Sequence, residues 1–157
     1  MYIWNTKALA HELANETLTQ KHYKNYYLAT AVFISVIYYY GIYSPYFNEW
    51  VILTESICTL LIMIWGVNSA YQANGGDEGK VFIKRITALS FPILVQTSVA
   101  GFVFAIVLGS AYQFFPEAVV WLDAWYEWCV CLFTLILQVL FFTRLISYIK
   151  RIVQHQI

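Results

Sequence analysis

Glu55 is the side chain whose type and position most invite chemistry, a carboxylate inside a long apolar segment that begins near Trp50. Five residues of helix place it about 7 Å below the start of that segment, at ~1.5 Å rise per residue. An unpaired charge in hydrocarbon costs several kcal/mol. Glu55 must therefore be protonated, hydrogen-bonded or open to a wet cavity. Every lysine and arginine lies toward the opposite end of the apolar segments, about 20 to 30 Å away along the helical rise, so a salt bridge within one protomer is out of reach. The groups expected near its depth are Ser110 and Gln113 on the third segment, Tyr38, Tyr39 and Tyr40 on the first, and Thr134 on the fourth. Two readings follow: a structural Glu donating a hydrogen bond to one of these, or a carboxylate lining a cation path or proton site with Ser110 and Gln113.

The remaining polar residues argue against catalysis. Gln96 and Gln138 are amides at span depth, where such groups tie helices together for about 1 kcal/mol each. Cys58, Cys129 and Cys131 have no CxxC spacing, and the latter two, being two residues apart, point to different sides of a helix. Free thiols acting as small hydrophobes are expected. His11 and Glu12 begin the HExxH pattern of zinc hydrolases, but Asn15 stands where the second histidine is needed. No histidine lies in an apolar segment to hold haem, and no nucleophile is paired with a base. The expectation is no catalytic residue, no cofactor and no metal. Residues 74–80, Asn-Gly-Gly-Asp-Glu-Gly-Lys, lack both phosphate-loop spacings and carry two carboxylates that repel an anion, so they are read as a plain turn.

The elements that position these groups follow from composition. The 157 residues are 61% hydrophobic and 11% charged, more apolar than a soluble domain of this size requires. Four windows, 26–43, 50–67, 91–113 and 126–147, approach the ~20 residues that cross a hydrocarbon core as helix. The expected fold is an all-α membrane protein with four transmembrane helices in two antiparallel hairpins, accompanied by short amphipathic interfacial helices. Its divisions are an amphipathic N-terminal helix over 1–25, a transmembrane domain over 26–147 and a short basic tail over 148–157. Trp4, Ala8, Leu9, Leu13 and Leu18 form the apolar side of the first element, which is expected to lie on the inner leaflet. It lacks the pattern of a cleavable signal peptide, leaving the first span to direct insertion.

All nine basic residues fall into three groups: Lys7, Lys21 and Lys24; Lys80, Lys84 and Arg85; Arg144, Lys150 and Arg151. The positive-inside rule then puts both termini and the central loop in the cytoplasm, with a bacterial inner membrane as the expected location. Glu49, Glu117, Asp123 and Glu127 face the other side. A bend is expected at Pro92, where the basic segment after the central loop joins the third span.

Thr97, Gly101, Ala105, Gly109 and Gln113 recur at every fourth residue of the third span, and Gly66 and Ala70 repeat the spacing on the second. Small residues on one ridge let another backbone approach closely, which is how helices associate where lipid removes the hydrophobic incentive. The third span is accordingly expected to be a packing hub. The expected activity is non-enzymatic association, as a homo-oligomer or as the membrane subunit of a complex, with phage defence or toxin immunity as one setting for so compact a protein. An oligomeric cation channel with Glu55 on its path is the alternative. The bilayer is a partner in either case, and no nucleic acid is expected.

Overall fold

A computed structural model describes residues 2–42, 48–114 and 123–154; the side chains of 38–42, 108–109, 111–114 and 123–125 also lie outside the described residues. Among the described residues the chain is helical without strands. Helix α1 spans Thr6–Ala14, α2 Gln20–Ile42, α3 Glu49–Ala73, α4 Phe82–Phe114 and α5 Asp123–Val153, with a single 3₁₀ turn, Gly76–Glu78, between α3 and α4.

Among the described residues three stretches are long and apolar enough to cross a membrane: Glu49–Ala73, Phe82–Val107 and Tyr126–Val153. The chain is an integral membrane protein on that ground. Helix α2, expected as a fourth span, is not among these three. Only the described residues bear on this, and the far end of the expected window 26–43 lies outside them.

The helix ends follow local chemistry. Asn5 caps α1 by accepting from Ala8 N at 3.0 Å, and Asn48 caps α3 by accepting from Trp50 N at 2.9 Å. The single helix expected over residues 1–25 is instead α1 and the start of α2. Helix α1 stops at Asn15, where Glu16 N donates to Leu13 O and Thr17 N to Glu12 O, the paired bonds of a Schellman turn. Glu16 occupies the left-handed position of that turn at φ 53°, a place usually given to glycine. Helix α4 passes through Pro92 without a break, and Pro92 itself is fully buried.

Helix α5 is the most heavily used scaffold. Helix α3 packs along it most extensively and α4 next; α2 packs on α4, and α1 lies against both α4 and α5. The hub expected on the third span is thus shared with the fourth. Small residues make room for α5: a methyl group added at Gly66 of α3 would overlap the Phe142 ring, and Ala70, one turn on, is completely buried. Phe104 of α4 stacks on Phe133 of α5 with centroids 3.6 Å apart and planes at 17°. Phe33 of α2 meets Phe91 of α4 edge to face at 6.3 Å.

The buried core gathers at the basic end of the bundle. Leu9, Ala10 and Leu13 of α1 join Tyr26, Ala70, Ala88, Leu89, Ile93, Leu145, Ile149 and Ile152. Residues through Val153 continue α5, so Ile149 and Ile152 of the expected basic tail are core side chains. The apolar side of α1 rests on protein, where it was expected to rest on lipid.

Candidate functional site

Glu55 lies in the second turn of α3, partly buried, on a helix whose main contact is α5. Its neighbours in electrostatic range include Cys131 of α5, which also lies near Cys58. Cys131 is buried, Cys58 is half-buried and Cys129 is exposed, all as free thiols. Among the described residues the Glu55 carboxyl makes no hydrogen bond, and no cluster of three or more His, Cys, Asp or Glu side chains could hold a metal.

The other members of the expected polar site are placed as follows. Ser110 is exposed on α4. The side chains of Gln113, Tyr38, Tyr39 and Tyr40 lie outside the described residues, as does the Glu117 loop. Thr134 donates its hydroxyl to Val130 O of its own helix at 3.0 Å, and among the described residues no hydrogen bond joins it to Glu55. Helices α3 and α4 pack mainly on α5, not along one another, and Glu55 and Ser110 therefore stand on separately packed helices.

The small-residue ridge divides along its length. Thr97 is buried and its hydroxyl donates to Ile93 O at 2.9 Å, and Gly101 faces Leu137 of α5, whose Cδ1 would be 3.0 Å from an added Cβ. Ala105, one turn further, is exposed, and Gly109 lies where side-chain surroundings are not described. Gly66 and Ala70 are both buried against α5 and its neighbours.

The two span-depth amides act between elements. Gln138 Nε2 donates to Thr59 Oγ1 at 3.0 Å, joining α5 to α3. Gln96 Nε2 reaches Thr6 Oγ1 at 3.0 Å, Ile3 O at 3.2 Å and Trp4 O at 3.3 Å, tying the N-terminal segment to α4. Spacing marks both residues as glue, but not their partners. A further clasp secures the same segment: Tyr26 Oη accepts from Tyr2 N at 2.7 Å and Tyr2 Oη donates to Glu12 Oε1 at 2.7 Å. That bond, with the Glu12 charge beside it, holds the Tyr2 phenol above its ordinary value near 10. Asn15, which breaks the zinc-hydrolase pattern, has its Nδ2 3.0 Å from His11 Nδ1. At the other end Glu127 accepts from Asn48 N at 2.8 Å and joins the start of α5 to the cap of α3.

Sequence reasoning read residues 74–80 as a plain turn and did not connect them with Arg85. Asn74, only 1% exposed, accepts from Arg85 Nη1 at 2.8 Å and donates from Nδ2 to Lys80 O at 3.2 Å. A recess of about 260 Å³ opens beside them. The signal that could have found it is Arg85, a guanidinium in the first turn of a span.

Comparison with protein-family models, with characterised proteins and with solved structures finds no match, and the geometry alone carries the functional reading.

Proposed function

We propose that this protein works by association of its helices in the membrane, as a homo-oligomer or as the membrane subunit of a complex, without enzymatic activity of its own. The observation that supports this is the divided ridge of α4. Thr97 and Gly101 are used within the protomer, whereas Ala105 continues the same ridge into an exposed apolar face with Phe102, Val103 and Ile106. Small residues gain nothing against lipid tails but permit close contact with another helix. The reading includes α2 as a fourth span beside α4, both termini on the cytoplasmic side and a bacterial inner membrane, on the strength of the nine basic residues at one end.

The test is native mass spectrometry of the complex recovered in mild detergent, comparing parent with Ala105→Leu. The expected result is loss of the assembled form with an unchanged melting temperature for the protomer. A parent that is monomeric and carries no partner would overturn the association reading, and an assembly of the same mass in parent and variant would remove Ala105 from its interface.

A second reading has one observation of its own: a half-buried Glu55 carboxyl without a hydrogen bond among the described residues. A ring of such carboxylates selects cations in an oligomer. Cation flux into liposomes should then fall with Glu55→Gln, and a parent that does not conduct removes this reading while leaving the first intact.

A further inference from the structure

The recess at the α3–α4 turn is built around Arg85, a partly buried cation. It is lined by Asn74, Gly75, Glu78, Gly79, Lys80 and Arg85, with Ile152 and Val153 of α5 as an apolar wall. The turn is held in one shape. Gly75 adopts φ 101°, which a side chain would strain, and Gly79 sits so close to Asn74 O that a Cβ would overlap it. Asn74 binds both the Arg85 guanidinium and the backbone at Lys80, so the loop and the arginine are positioned together.

Arg85 is incompletely satisfied. Its Nη1 has Asn74, but its Nε is buried and has no hydrogen-bond partner. Among the described residues no carboxylate closes an ion pair with it; Glu16 acts on it only at longer range. A buried donor left unmade costs about 1–3 kcal/mol, and more on a charged group. The planar fork of a guanidinium matches the oxygens of a phosphate, and such charge-assisted bonds are roughly twice as strong as neutral ones.

Location and charge narrow the ligand. The turn joins two stretches that can cross a membrane, Glu49–Ala73 and Phe82–Val107, and so lies where both leave the hydrocarbon, at headgroup level. Lys80 and Arg85 against Glu78 leave the lining with one net positive charge. That balance suits a phosphodiester, which carries one negative charge, better than a phosphate dianion. The apolar wall of Ile152 and Val153 suits the glycerol and first methylenes of a lipid.

We propose that this recess binds the phosphodiester of a membrane phospholipid headgroup, with Arg85 and Lys80 as its cations. The same carboxylates that make residues 74–80 a poor phosphate loop in sequence are here divided: Asp77 accepts from the Tyr71 hydroxyl, leaving Glu78 at the recess.

The experiment uses the full chain in a phosphate-free maltoside detergent and follows thermal stabilisation by short-chain phosphatidylglycerol, by the matching diacylglycerol and by inorganic phosphate. Phosphatidylglycerol should raise the melting temperature and diacylglycerol should not. Lys80 and Glu78 are both exposed, so neither is required for folding. Lys80→Ala should weaken the apparent lipid affinity by roughly three- to tenfold, and Glu78→Gln should strengthen it by about two- to threefold. General misfolding cannot produce opposite shifts. Equal stabilisation by diacylglycerol, or an affinity that neither substitution moves, would overturn the site. Stabilisation by inorganic phosphate at the same concentration would overturn its assignment to lipid.

Discussion

The two ends of the bundle are assembled differently. At the basic end Leu9, Leu13, Leu89, Ile93, Leu145, Ile149 and Ile152 are all buried against one another. Toward the other end, Ile52, Leu53, Ile57 and Leu60 of α3 and Phe102, Val103, Ile106 and Val107 of α4 are exposed, and Val51 and Cys131 are the buried apolar residues among those described. The difference follows from solvent. Where the helices leave the hydrocarbon, water drives apolar side chains together, and α1 supplies the surface that covers them. Within lipid, tails are as apolar as leucine, and contact depends on small residues and hydrogen bonds. The basic end should therefore carry the stability of the protomer, and the other end should be available for association.

The strongest way to break this comparison is Gly66→Leu. The new side chain would have to displace the Phe142 ring where α3 packs on α5, at a cost of about 3 kcal/mol. Thermal unfolding should register a large loss, while Ala105→Leu on the exposed face should leave the melting temperature unchanged. Comparable losses in the two variants would dissolve the distinction between the ends.

Next in size is Leu9→Ala. Leu9 is fully buried, and its truncation should destabilise the protein by about 2–3 kcal/mol. Hydrogen exchange should show α1 losing protection before α3 and α5 do. If α1 instead lay on the leaflet, the same substitution would change its exchange little.

A smaller effect of opposite sign is expected at Val81. This β-branched residue adopts φ 53° just before α4, a conformation glycine takes without strain. Val81→Gly should raise stability by about 1 kcal/mol in denaturant or thermal unfolding. A loss would mean that the side chain's contacts outweigh its backbone strain.

The smallest expected effect concerns pH. Because the Tyr2 phenol is held above its ordinary value near 10, its contribution is complete below pH 10 and is lost as pH rises through the higher folded value. Tyr2→Phe should flatten the decline in stability above pH 10. An identical alkaline profile in parent and variant would show that the clasp to Glu12 does not couple to folding.

How far these features could be read in advance depended on what each residue reports. The helices around 50–67, 91–113 and 126–147 were legible because uninterrupted apolar length has few alternatives in water. The first segment was harder: Tyr23, Tyr26 and Tyr27 serve equally as an interfacial belt or as packing groups, and in the fold Tyr26 is buried beneath the N-terminal segment while Tyr27 is exposed. Gln96 was legible as glue, but its partners Ile3, Trp4 and Thr6 are about ninety residues away in the chain, a separation no local pattern encodes. Arg85 was read as one member of a basic group that sets orientation, because counting a charge does not ask whether its nitrogens are satisfied.

The amino-acid sequence by itself determined that this is a membrane protein, where its apolar stretches lie, that its positive charge gathers at one end, and that glycines shape the turn after Asn74. Only the tertiary structure decided that α1 is docked in the bundle, that α5 shares the role of hub with α4, that Thr97 and Gly101 are used within the protomer while Ala105 is not, and that Arg85 faces a recess. The physical reason is that hydrophobic periodicity tells which side of a helix avoids water. It does not tell whether lipid, another helix or a second chain covers that side, since all three are equally apolar; close fit and hydrogen bonding choose among them.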